Sequence, residues 1–143
     1  MRITDKKTTF QIGKANVISD GSDVAIFAHG IALQFAIEAK KKLLDMGIDC
    51  AIVNMHTIKP LDENIILEYA KKTGKIVTIE DHQIAGGMGS AICEFLSSSY
   101  PVKIEVIGMK DSFGQSGKGY ELLKHYNISC DEIVKRVKKM YGI

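Results

Sequence analysis

An α/β fold, with a mostly parallel sheet covered by helices on both faces, is what the sequence predicts, and three observations carry that expectation. Short apolar runs at residues 24–28, 50–55, 76–79 and 102–107 alternate with stretches of helical periodicity. These runs are continuous and largely β-branched rather than alternately apolar and polar, as strands buried on both faces are. A glycine-rich turn, Gly86-Gly87-Met88-Gly89, follows the third run and opens into a helical pattern. Such strand-to-helix junctions are where open α/β sheets place ligands, because free N–H groups and the positive end of the helix dipole point outward there.

In chain order, residues 1–13 are polar and weakly patterned, as a tail or domain-joining segment is, so the domain is expected over 14–143. Residues 15–19 suit a short strand, and Asp20-Gly21-Ser22-Asp23 is a turn that by itself suggests a hairpin to the 24–28 strand. From Ile31 the residues Ala32, Phe35, Ala36, Ala39, Leu43 and Met46 fall at helical spacing, and Gly47 is placed as the residue just past the helix end. After the 50–55 strand, Pro60 disfavours helix at Lys59, and Asp62 is a good cap for a helix carrying Ile65, Ile66, Tyr69 and Ala70 and stopping at Gly74. The 76–79 strand should end where Glu80-Asp81-His82 begins a loop, with the next helix marked by Ala91, Ile92, Phe95 and Leu96. Past Gly108, residues 111–119 read as a loop and 121–126 as a short helix. Ser129 and Glu132 form a capping box for a last helix whose buried side is Ile133, Val134, Val137 and Met140.

Composition bounds the function. At 143 residues the chain makes about one domain with a real core. With 19 basic against 17 acidic residues there is no electrostatic case for nucleic acid or an anionic membrane as partner. No run approaches a membrane span and the amino terminus lacks a signal-peptide apolar region, so a cytoplasmic location is expected. Cys50, Cys93 and Cys130 are odd in number and widely spaced, and they read as small apolar fillers rather than a disulfide framework or a zinc site.

Glu80, Asp81 and His82 could supply an acid, a base and a hydrogen-bond partner, and His29-Gly30 ends a central strand that could face the same cleft. No nucleophile with an activating geometry accompanies them. The simpler reading is that Glu80 caps the backbone after it, His82 packs at an interface, and Gly86, Gly87 and Gly89 serve backbone geometry. The dinucleotide fingerprint fails because Ile92 stands where Gly or Ala is needed. A phosphate loop at Gly114 to Lys118 fails because Gly119 replaces the magnesium-binding Ser or Thr. Lys135, Arg136, Lys138 and Lys139 read as a solvated helix face, and His56 and His125 as structural histidines.

From Lys14 onward the chain resembles the carboxy-terminal domain of transketolase. The resemblance rests on Ile58-Lys59-Pro60-Leu61-Asp62, Val77-Thr78-Ile79-Glu80-Asp81-His82, Gly86-Gly87-Met88-Gly89-Ser90-Ala91 and Phe113-Gly114-Gln115-Ser116-Gly117. The first three elements are shared with 1-deoxyxylulose-5-phosphate synthase and, more loosely, with the β subunits of 2-oxoacid dehydrogenases, while the last favours transketolase. The resemblance implies a three-layer α/β/α domain whose five-stranded sheet has the order 1-3-2-4-5, with strand 1 antiparallel. That order separates the two strands that the local turn would pair. It also puts a topological switch between the 24–28 and 76–79 strands, whose ends carry His29-Gly30 and Glu80-Asp81-His82.

Functionally, the resemblance implies part of an enzyme that moves a two-carbon ketol unit between sugar phosphates with thiamine diphosphate and magnesium or calcium. In the family that cofactor lies between two preceding domains. No Gly-Asp-Gly…Asn-Asn motif is present, so no catalytic, cofactor or metal residue is carried over, and the chain alone is expected to be inactive. Its partner would be a thiamine-binding chain or domains, in a homodimer or heterotetramer. His29, Gly30, Glu80, Asp81, His82, Gly86, Gly87, Met88, Gly89 and Phe113 are the candidate crevice and interface. An exposed apolar patch is expected from Ile58, Leu61, Ile84, Met88 and Phe113. The competing readings are the C-terminal part of a 1-deoxyxylulose-5-phosphate synthase or of a 2-oxoacid dehydrogenase β subunit, the latter as an interaction subunit, and a free-standing nucleotide or anion-binding module.

Overall fold

The computed structural model describes residues 3–143. Five strands, β1 (Asn16–Ser19), β2 (Val24–Ala28), β3 (Cys50–Asn54), β4 (Lys75–Gln83) and β5 (Lys103–Met109), form one sheet in the order β1-β3-β2-β4-β5. The helices are α1 (Ala32–Leu44), α2 (Glu63–Thr73), α3 (Met88–Ser99), α4 (Gly119–His125) and α5 (Cys130–Tyr141).

Every residue of β2 and β3 is buried, as their unbroken apolar sequences require. Because side chains alternate across a strand, these residues split into two cores. Val24, Ile26, Ala28, Ile52, Val77 and Ile79 meet α1 and α5, whereas Ala25, Phe27, Ala51, Val53 and Ile76 meet α2 and α3. The result is a three-layer α/β/α domain. Each large side chain fully withdrawn from water here, Phe27 and Ile52 among them, contributes about 1.5–3 kcal/mol.

The hairpin suggested by the turn after β1 does not form. β1 runs antiparallel to β3, with Asn16 opposite Asn54, and β3 lies parallel to β2 with Ala28 opposite Asn54. The turn instead steps across the start of β3, where a Cβ on Gly21 would collide with the Cys50–Ala51 backbone. Lys72, the Gly21 N–H and the Tyr69 hydroxyl fix the turn through the Asp20 carboxylate, holding its pKa down at about 2.

Several local signals act where the sequence puts them. Gly47, with φ of 78°, closes α1 in a Schellman arrangement: Ile48 N–H donates to Leu43 O at 2.9 Å and Gly47 N–H to Leu44 O at 2.9 Å. Asp62 caps α2 by accepting from Ile65 N, and Gly74 ends that helix in the left-handed region. Three details differ. Met46 lies past α1 and is exposed rather than on its buried face. Only half of the expected capping box forms on α5: Ser129 Oγ accepts from Glu132 N–H at 3.2 Å, but the Glu132 carboxylate turns away to Arg136 Nε at 2.7 Å. Arg136 in turn reaches Glu105 on β5 at 2.7 Å, so it is a tie between helix and sheet and not part of a solvated face.

Candidate functional site

The parallel strands deliver their carboxyl ends to one edge of the sheet, and there the predicted crevice residues meet. A hollow of about 170 Å³ is lined by His29 from the end of β2, Ile58 from the loop after β3, Glu80, Asp81 and His82 from β4, and Gly86, Gly87 and Met88 from the turn into α3. Of the predicted set, Gly30, Gly89 and Phe113 are not part of this lining. Phe113 stands on the loop after β5 at the same edge, with its side chain 100% exposed.

The Glu80-Asp81-His82 segment is strand rather than loop, because β4 continues to Gln83, which lies opposite Met109 of β5 after an irregularity in register. Alternation puts Glu80 and Asp81 on opposite faces; Glu80 is 1% exposed against α3, whereas Asp81 is exposed, as is His82 at the strand end beyond the core. The Glu80 carboxylate sits on the first turn of α3, with Oε2 accepting from Met88 N–H at 2.8 Å and Oε1 from Gly89 N–H at 2.8 Å. A helix start offers free N–H donors and partial positive charge, and a buried carboxylate here satisfies both.

The glycines permit this approach. A Cβ on Gly87 would run into the Glu80 carboxylate, and one on Gly89 would lie 2.6 Å from Thr78 Oγ1 and 2.7 Å from Val106 Cγ1. Gly86 faces open space but has φ of 76°, a conformation that β-carbon-bearing residues rarely take. Gly30, at φ of 56°, similarly turns the chain from β2 into α1.

Burial works to raise the Glu80 pKa, but His29 and the Gly89 and Met88 N–H groups outweigh it and hold the carboxyl below its ordinary value. His29 Nε2 lies 3.9 Å from Glu80 Oε2, an electrostatic contact rather than a hydrogen bond. His82 makes its hydrogen bond elsewhere, Nδ1 donating to the Gln83 carbonyl at 2.8 Å. The expected apolar patch needs correction. Met88 is wholly buried in the core, and Ile58, Leu61 and Ile84 are half-buried, so Phe113 alone of the five is fully open. Ile31 and Tyr120 on one side of this edge, and Phe10 and Ile12 on the segment before β1, are further exposed apolar residues that the expected patch does not include.

A family model described as "Transketolase, C-terminal domain" matches residues 13–133. The chain belongs to the transketolase C-terminal domain family. It is 42% identical over 134 residues to a putative transketolase C-terminal section of Methanocaldococcus jannaschii, covering 93% of this chain and 42% of that protein. Against a 6-deoxy-6-sulfo-D-fructose transketolase subunit of a Clostridium species it is 38% identical over 135 residues, covering 94% and 42%. Among solved structures, a split-gene transketolase described as an inactive beta4 tetramer superposes with a TM-score of 0.93 at 37% identity, over 97% of this chain and 46% of that one. The chain thus spans a little under half the length of these relatives.

The residues of this edge do not fit a thiamine diphosphate site. The one helix start in the crevice is already filled by Glu80, and Asp81 beside it would repel a diphosphate. Among the described residues no group of three His, Cys, Asp or Glu side chains could hold a metal ion. The crevice holds a strand end against a helix start, and its carboxylate is committed to that structural work.

Proposed function

We propose that this domain is the carboxy-terminal portion of a thiamine-diphosphate-dependent transketolase, moving a two-carbon ketol unit between sugar phosphates, and that it contributes assembly rather than chemistry. The observation that carries the assembly role is Glu80: the one buried carboxylate of the crevice is bonded to the Met88 and Gly89 N–H groups and is not free for proton transfer. The similarity to proteins named as transketolase subunits supports a partner that brings the cofactor and its metal. The split-gene relative is described as an inactive beta4 tetramer, which supports a working form that contains a second kind of chain, a heterotetramer.

No described helix is long and apolar enough to cross a membrane. The three cysteines are free, which supports a reducing, cytoplasmic setting. The reading is tested by calorimetric titration of thiamine diphosphate and magnesium. Binding is expected with the thiamine-binding section present and none tighter than about a millimolar, roughly 4 kcal/mol, with this chain alone. Tight binding to the isolated chain would overturn it.

A further inference from the structure

We infer that the carboxyl edge of the sheet is the surface on which the thiamine-binding section docks, with Phe113 as its anchor; this deepens the reading above and rests on it. Three independent features converge on this edge. The first is the way the chain enters the domain. Because β1 is antiparallel and Asn16 faces Asn54, the segment leading into β1 arrives at the carboxyl ends of β2, β3 and β4, not at their starts. Its course is fixed there: Ala15 N–H donates to Asp62 Oδ2 at 2.9 Å, and the Phe10 ring meets His56 edge-on at 4.9 Å between centroids. In the longer relatives this domain is the carboxy-terminal one, so what precedes it joins at this edge.

The second feature is Phe113 itself. An aromatic side chain with all of its surface in water is unfavourable in an isolated domain, and buried aromatic anchors carry much of the binding energy at interfaces. The Phe113 backbone is nevertheless held. Gln83 Nε2 donates to Ser112 O at 2.8 Å and Tyr126 Oη to Phe113 O at 3.2 Å, so the ring projects from a backbone tied on both sides. A side chain presented in this way loses little freedom on binding.

The third is continuity. Asp81 lines both the His29 crevice and a second hollow of about 310 Å³, whose wall includes Ile31, Gly114 and Tyr120, so crevice and Phe113 loop form one surface. Ile31 is 38% and Tyr120 63% exposed, which extends the apolar character around the anchor.

The test is sedimentation of this chain, at wild type and as Phe113→Asp, Phe113→Leu and Leu44→Asp, with the separately produced thiamine-binding section from the same source. Leu44 is 55% exposed at the far end of α1, on the opposite edge, and serves as control. Phe113→Asp is expected to weaken association at least tenfold and Phe113→Leu much less, with Leu44→Asp unchanged. Wild-type affinity of Phe113→Asp, or equal weakening by Leu44→Asp, overturns the docking surface while leaving the transketolase reading intact. No association of the unmodified chains overturns both. If this chain self-associates alone and Phe113→Asp abolishes that, the occupant is a second copy and the inference is wrong.

Discussion

Glu80 Oε1 lies 2.8 Å from the Gly89 N–H, and that contact exists only because residue 89 has no side chain to stand between strand and helix. Two substitutions follow from it. Glu80→Ala leaves two buried N–H groups without acceptors, at a cost of roughly 2–4 kcal/mol from one or more unmet donors. Gly89→Ala forces a methyl against Thr78 and Val106, at a cost of about 1–3 kcal/mol. Urea unfolding of both variants measures these losses, and unchanged midpoints would mean that the helix start is held by something else.

Acid should weaken the fold through the same group. The Glu80 carboxyl is held below its ordinary value of 4.5 in the folded state, so its contribution is fully present above that value and is lost as pH falls through the lowered folded value. Glu105, where burial is outweighed by Lys139 and Arg136, acts in the same direction. Unfolding midpoints below about pH 5 are therefore expected to drop steeply in the wild type and less steeply in Glu80→Gln, which has no such proton to bind. Parallel profiles for the two proteins would contradict this.

The parts of the fold that were legible in the sequence are those decided by neighbours along the chain. Asp62, Gly47 and Gly74 act as the caps their positions suggest, because a cap needs only the first or last turn of its own helix. The 111–119 loop and the two buried strands were equally local. What was not legible depends on distant partners. Glu80, Asp81 and His82 look like a loop, yet pairing of Gln83 with Met109 extends the strand through them and sends Glu80 inside. The Asp20 turn looks like a hairpin, but the close approach of Gly21 to the Cys50 backbone carries it past β3. Met88, flanked by glycines, has the look of a loop residue; as the first residue of α3 it fills the core between helix and sheet.

Met88 and Phe113 should therefore respond in opposite ways to the same change. Met88→Asp puts an unpaired charge into the core and should leave no stable domain, since such a charge costs several kcal/mol of a stability usually of 5–15 kcal/mol. Phe113→Asp, on a wholly exposed side chain, should shift stability by no more than about 0.5 kcal/mol. Thermal unfolding by circular dichroism distinguishes them, and a folded Met88→Asp domain would contradict the core assigned here.

The cysteines should be slow to react. Burial pushes the Cys50 thiol up to about 12 and raises Cys130 and Cys93 above their ordinary value, so little thiolate forms at about pH 8. Mass spectrometry after iodoacetamide treatment should find Cys50 and Cys130 unmodified in the native protein and all three cysteines alkylated in urea. Rapid native labelling of Cys50 would show that β3 opens more readily than its burial implies.

The central claim, that this domain completes a transketolase whose chemistry resides in its partner, is tested most directly by a ketol-transfer assay. A fixed amount of the thiamine-binding section would be titrated with this chain in the presence of thiamine diphosphate and magnesium. Each component alone should be inactive, and transfer should rise with added chain and saturate at one copy per copy of the partner. Full transfer by the thiamine-binding section alone, or none at any ratio, would contradict the account.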